Sequence, residues 1–327
     1  MNGDVPASDD EATERLRDRF RGLLLGLALG DALGVPVQHR RPGSFSRVGD
    51  LLGGGPYDLP RGAWSDDTAT ALHSADSLVA LGNLDPVDLQ ARWTRWQQTG
   101  AGSATGHCLG ISAALAAALA PVSADLSTSV LDGEPLPRAA VAAAFGFGDA
   151  SFAVQLAATM ARCTHPAPLV VDTTRVYAVL VIGALQGATR DQLLGEKFLP
   201  EPFCLGLRPL ARLVRDLHAG SWQHAQDPIA EGSARADAVG TLMLTYGALS
   251  AGRSFKDMVL AAVNAGCNAD LSGAVVGALA GALYGAAALP VHWLAALTDR
   301  EGIERRADRL LVASLTRLLD ASSEVSA

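Results

Sequence analysis

Residues 15–34 read "RLRDRFRGLLLGLALGDALG", and the spacing of the glycines in that stretch decides the fold class. Gly22, Gly26, Gly30 and Gly34 recur at every fourth residue. On an α-helix they share one face, and a face without side chains lets a neighbouring helix approach closely. The spacing predicts a core helix that starts near Glu14 and is stopped by Pro36, which has no N–H to donate. A second stretch has the same character. Residues 264–285, "NAGCNADLSGAVVGALAGALYG", carry a polar head whose one charged residue is Asp270, then a run of Gly, Ala and Val.

Composition agrees with closely packed helices. The 327 residues are 49% hydrophobic and only 18% charged and 5% aromatic, with Ala, Gly and Leu dominant. That mixture favours helices over sheets built of Val, Ile and Tyr. Strand alternation and fixed-period repeats are both missing. Residues 1–12 read as a disordered tail, and residues 13–322 as a single all-α domain. Helices are expected at 65–82, 86–98, 110–120, 137–147, 150–161, 170–186, 206–217, 235–251, 255–265, 272–287 and 303–319. The Gly- and Pro-rich residues 40–64 are expected to form a long loop, and 221–234 a second one. Trp93 and Trp96 read as core.

Several functions are excluded at this level. A net charge of −8 without a basic run argues against nucleic-acid binding. Cys108, Cys163, Cys204 and Cys267 show no close pairing, so neither a disulfide framework nor a structural zinc site is expected. The acidic start "MNGDVPASDDEATE" is unlike a secretory leader, and the apolar stretch 22–30 is shorter than the ~20 residues of a membrane span. A cytoplasmic protein without membrane contact is the expectation. There is no G-x-S-x-G elbow, P-loop lysine motif or dinucleotide fingerprint.

Two helix mouths concentrate carboxylates. In "GAWSDDT" (62–68), Ser65 precedes the adjacent Asp66 and Asp67. Such a pair either complements the helix dipole or surrounds a hard cation such as Mg²⁺ or Mn²⁺. In 264–285, Asn268 and Asp270 stand two apart before a helix, as a decorated N-cap or as two ligands of one ion.

These blocks occur in a familiar order. The chain resembles the ADP-ribosylglycohydrolase family, from about Arg19 to about Leu311. The resemblance rests on "RGLLLGLALGDALGVPVQ" (21–38), "GAWSDDTATAL" (62–72), "TGHCLGISAAL" (105–115), "ATMARCTHPAP" (158–168), residues 264–285 and "LPVHW" (289–293). It implies a single large orthogonal helical bundle whose loops converge on two divalent metals that hold the ribose diol of an ADP-ribosyl group. Carried over by position, Ser65, Asp66, Asp67, Asp270 and Asn268 match metal ligands. Gln38, Asp67, Asn268 and Cys267 fall at catalytic positions, and His165, Gly106 and Ser233 at substrate-binding ones.

The departures from the family pattern fall on the chemistry. Its Asp-x-Asp-Thr motif reads Asn268-Ala269-Asp270-Leu271 here, which implies one Mg²⁺ or Mn²⁺ site kept and the second weakened. Its usual Glu at the end of the first block is Gln38, which cannot take a proton at neutral pH. An Asp usual in the third block is Gly110. Cys267 stands where the family prefers Gly, and reads as a nucleophile, a ligand or a small filler; His165 reads as a packing residue or a substrate contact. The expected function is therefore a divergent enzyme acting on a ribosyl or ADP-ribosyl-like small molecule by glycosidic cleavage, elimination or transfer. The alternatives are a catalytically inactive binder of ADP-ribose or NAD-derived ligands and a conventional ADP-ribosylarginine hydrolase. Oligomeric state is left open.

Overall fold

The computed structural model describes residues 9–120, 126–196, 198–199 and 209–325. Among them are 15 α-helices, short 3-10 turns and no strand; one isolated bridge joins Gly54 and Leu59. The helices are α1 (Asp9–Gly34), α2 (Asp66–Leu81), α3 (Pro86–Thr99), α4 (Ala113–Ala118), α5 (Pro135–Phe145), α6 (Ala150–Arg162), α7 (Pro168–Gln186) and α8 (Arg190–Leu193). They continue as α9 (Arg212–His218), α10 (Pro228–Arg235), α11 (Ala238–Ala251), α12 (Phe255–Val263), α13 (Ala269–Tyr284), α14 (Val291–Ala296) and α15 (Arg300–Val325).

The central relationship is between α1 and α13. A methyl group added at Gly22, Gly26 or Gly30 would overlap the carbonyl oxygen of Gly281, Gly277 or Gly273 respectively, and the reverse substitutions would meet the same glycines. One helix therefore lies antiparallel on the other in a constant four-residue register, backbone against backbone. The register ends where Gly34 meets the backbone of Ala269 and Asp270. The glycine face thus delivers the C-terminal end of α1 to the N-terminal mouth of α13. Trp93, Trp96 and Trp293 are fully buried, and the Arg138 guanidinium sits 4.8 Å above the Trp93 ring.

Some boundaries differ from the sequence-based expectation. Helix α1 begins at Asp9, so residues 9–12 are helical and not part of a tail; acidic residues there complement the helix dipole. The rest of the expected tail, 1–8, lies outside the described residues. Helix α5 begins at Pro135 because proline is well suited to the first helical turn. Of the helix expected at 206–217, residues 206–208 lie outside the described part, as does Cys204. The segment 221–234 is no simple loop: it holds a 3-10 turn, Ser221–His224, and most of α10. By length and composition alone, Asp10–Val37 and Pro168–Gln186 are apolar enough to cross a membrane, but 89% of each apolar window is buried inside the protein. Their hydrophobicity is that of core helices.

Candidate active site

The site is assembled at the mouths of α2 and α13. Ser65 is the residue before α2, but its hydroxyl caps nothing within its own helix. It donates instead to Asp31 Oδ1 at 2.8 Å, and its backbone N–H donates to the same carboxylate at 3.0 Å. Thr68 adds two more donors to Asp31, its N–H at 3.0 Å and its hydroxyl at 2.6 Å. A carboxylate from α1 therefore supplies the acceptors that the first turn of α2 needs. Asp31 is fully buried. In the sequence Asp31 merely follows the apolar stretch 22–30.

Held this way, Asp66 and Asp67 are buried in the first turn of α2, and Asp270 is buried in the first turn of α13. Their crowding is visible in their acidity. Burial first, then Asp270, Glu134 and Asp31, push the Asp66 carboxyl well above the usual range. Burial and the neighbouring Asp66 and Asp270 do the same to Asp67. Asp270 is pushed up to about 7 by burial and by Asp31, against hydrogen bonds from backbone N–H groups and from the Gln38 side chain. The sequence-distant carboxylates are thus brought together, and no ion pair among the described residues relieves them.

Gln38 is a neighbour of Asp270, as its position implied. Its amide N–H donates to the Asp270 carboxylate, while its buried Oε1 has no hydrogen-bond partner. Gly110 lies against Asp66: with φ at +86°, a side chain there would overlap the Asp66 carboxylate. The departure from Asp to Gly at this position goes with a carboxylate that fills the space. Tyr57, in the 3-10 turn Gly55–Tyr57 of the 40–64 loop, is near enough to Asp66 and Asp270 for both to raise its pKa, after burial. That loop does approach the site. Cys108 is also near, its thiol pushed up to about 11 by burial and by Asp66. A thiol so disfavoured from ionising is a poor nucleophile.

Two of the other expected residues, Cys267 and Ser233, hold the turn before α13. Cys267 has φ at +56°, a left-handed conformation that suits glycine and explains the family preference. Its N–H and C=O pair with Arg40 O and His39 N, each at 2.7 Å, which pins the 39–40 segment to the mouth of α13. Ser233, assigned to substrate, has its hydroxyl committed to Ala265 O at 2.9 Å and so supports that same turn. Gly106 is exposed and its carbonyl packs against Gly100; Gly110 is the glycine that faces the carboxylates. Asn268 occupies the N-cap of α13 with no capping bond from its side chain. Leu271 is buried and packs beside Gly133.

His165 is fully buried, and its surroundings were not foreseen. Nε2 stands 2.9 Å from Asp132 Oδ1 and 3.8 Å from Glu134 Oε2, and Nδ1 is 2.8 Å from Thr164 Oγ1. The segment "LDGEPLPR" (131–138) that brings these two acids in carries a usable signal: carboxylates on either side of a glycine, just before a proline-started helix.

The donor set at Asp66, Asp67, Asp270 and Ser65 fits a hard divalent cation. It offers oxygen ligands only, the carboxylates repel one another in a buried site, and the orphaned Oε1 of Gln38 is beside them.

Comparison with known proteins gives the class. A family model described as ADP-ribosylglycohydrolase matches residues 12–319. The chain belongs to the ADP-ribosylglycohydrolase family. It is 31% identical over 305 residues to the ADP-ribosylarginine hydrolase Tri1 of Pseudomonas putida (strain GB-1), covering 91% of this chain and 79% of that protein. The Serratia proteamaculans (strain 568) protein of the same description is 28% identical over 284 residues, covering 80% of this chain and 71% of its own. A solved structure described as an ADP-ribosylglycohydrolase-related protein complex superposes with a TM-score of 0.78 at 36% identity, covering 92% of this chain and 99% of that one. The all-α fold expected from the sequence is thereby shown.

Proposed function

We propose that this chain is a divalent-metal-dependent enzyme that cleaves the bond between the anomeric ribose carbon of an ADP-ribosyl-type small molecule and its substituent. Asp66, Asp67, Asp270 and Ser65 would hold one Mg²⁺ or Mn²⁺. Bound there, the ion supplies Lewis-acid polarisation and a grip on ribose hydroxyls. The observation that carries the reading is the convergence of three buried carboxylates, from two helix mouths some 200 residues apart, with no counter-charge among the described residues.

The chain's own residues divide the remaining work. Gln38 holds the Asp270 carboxylate with its N–H and presents its unpartnered carbonyl as an acceptor for a substrate hydroxyl. Asn268, uncommitted at its N-cap, serves as a second neutral contact. Asp67, whose carboxyl burial and the neighbouring Asp66 and Asp270 push well above the usual range, is ionised by the ion it would hold and would then accept a hydrogen bond from substrate or water. The reaction follows from an assay of ADP-ribosylated arginine, free and in peptides, with Mg²⁺ or Mn²⁺ and chromatographic detection of released ADP-ribose. Turnover that disappears in Asp67→Ala supports the proposal. Absence of turnover on every ribosyl compound tried counts against it.

A second reading has its own observation, the presence of Gln38 and Leu271 where the family has Glu and Thr. It is a protein that binds ADP-ribose without turning it over. Calorimetric binding with no product after long incubation distinguishes it. The third, a conventional ADP-ribosylarginine hydrolase, draws on the relatives named as such. It requires that Gln38→Glu together with Asn268→Asp leave the rate nearly unchanged.

A further inference from the structure

On either side of Gly133, which packs against Leu271, another group of ligand-type side chains converges. One oxygen each of Asp132 and Glu134 and a ring nitrogen of His165 all lie within 4.8 Å of one another. His165 is 0% and Glu134 6% exposed. Two polar atoms in this cluster are buried without a hydrogen-bond partner, Nε2 of His165 and Oε1 of Glu134. Nε2 is 2.9 Å from Asp132 Oδ1, a contact that helps hold that carboxyl below its usual range although the N–H is poorly aligned, and 3.8 Å from Glu134 Oε2. A buried polar atom left unpaired costs about 1–3 kcal/mol, and an ion between the three would pair them all.

We propose that Asp132, Glu134 and His165 form a second divalent-metal site, of mixed nitrogen and oxygen character, separate from the all-oxygen donors Asp66, Asp67 and Asp270. An imidazole ligand selects a transition ion such as Mn²⁺, Co²⁺ or Zn²⁺ over Mg²⁺. The surroundings suit that role. With an ion on Nε2, Nδ1 carries the ring proton and donates it to Thr164 Oγ1, 2.8 Å away, which also accepts from Arg138 Nη2 at 2.9 Å. The threonine hydroxyl has two lone pairs and serves both. Ser112 Oγ donates to Glu134 Oε2 at 2.5 Å and fixes that carboxylate. The Asp132 side chain, 33% exposed, gives the site an opening to solvent. Three protein ligands leave positions free for water or substrate. Glu134 is near enough to Asp66 and Asp67 to add to their crowding, so an ion here also offsets charge at the neighbouring centre. The two donor sets share no residue, and this site stands whether or not the proposed reaction does.

The test uses untagged, full-length protein freed of metal by a chelator and then loaded with Mn²⁺ alone. Pulsed electron paramagnetic resonance should show a ¹⁴N coupling, because the carboxylate centre offers oxygen only. Glu134→Gln and His165→Gln should each lose about one equivalent of ion and weaken the affinity of that site by at least about tenfold. His165→Gln should abolish the ¹⁴N coupling, and Asp270→Asn should leave it in place. The spectrum of the unaltered protein needs no variant to fold. Its lack of a ¹⁴N coupling at saturating Mn²⁺ overturns the proposal, as does a coupling that survives His165→Gln. A coupling retained while Asp270→Asn leaves the total ion count unchanged supports this site and counts against the proposed function.

Discussion

Asp31 and Thr68 are joined by two hydrogen bonds, from the threonine N–H at 3.0 Å and its hydroxyl at 2.6 Å, so that a residue of one helix caps another. Ser65 completes the arrangement from the other side. Removing the carboxylate leaves buried donors without an acceptor at the point where the two helices are locked. Asp31→Ala should cost about 3–5 kcal/mol, read as a fall in the urea midpoint with an unchanged slope. A loss below about 1 kcal/mol would mean that α2 does not depend on the cap.

Gly110 tests the neighbouring contact. Ala at this position meets the Asp66 carboxylate and also has to adopt φ +86°. Gly110→Ala should displace Asp66 and weaken Mn²⁺ binding at the carboxylate centre by about tenfold or more, as loss of a group that orients a ligand commonly does. Calorimetric titration that gives the same affinity would show that Asp66 is not a ligand.

The raised acidities of Asp66, Asp67 and Asp270 make a signed prediction about pH. Their folded values lie above those of the unfolded chain, so the metal-free protein keeps this part of its stability below about pH 4 and loses it as pH rises through the folded values, about 7 for Asp270. A divalent ion replaces the lost protons. The rise in melting temperature on adding Mn²⁺ should therefore be larger at pH 8 than at pH 5.5, and Asp67→Asn should shrink the difference. Equal rises at the two pH values would contradict the shared site.

Cys267 separates backbone from thiol. Its φ of +56° suits glycine, and a left-handed conformation costs other residues about 1–2 kcal/mol, against the extra unfolded-state entropy of glycine. Cys267→Gly should leave stability unchanged or raise it by up to about 1 kcal/mol. Cys267→Val, branched at Cβ, should lower it by about 1–2 kcal/mol. Loss of all turnover in the glycine variant with its fold intact would instead assign the thiol a part in the chemistry.

What could be read from the chain alone follows the range of the interactions involved. The glycine face of α1 is a local pattern, and its four-residue spacing was sufficient to expect a close helix contact. Asp66, Asp67 and Asp270 stood out because they sit in first turns, where a carboxylate either complements the helix dipole or holds an ion. Their convergence was expected only through the family resemblance, since no spacing encodes it. Asp31 was missed for the opposite reason: its partners are 34 and 37 residues away, and within its own helix it looks like one polar interruption. Asp132 and Glu134 escaped because their meaning depends on His165 from another helix. The contacts of Ser233 with Ala265 and of Gly106 with Gly100 were not legible, because a position shared with a family does not say which way a hydroxyl or a carbonyl turns.

The antiparallel seam between α1 and α13 has a consequence for how such a site diversifies. Main chain rests on main chain from Gly22 to Gly34, so the spacing between the two helix ends is set without any contribution from the groups that bind ions or ligands. Side chains at 38, 110, 268 and 271 can differ from one relative to another while the frame around them holds its dimensions. A chain built this way is free to change its chemistry without first relearning its architecture.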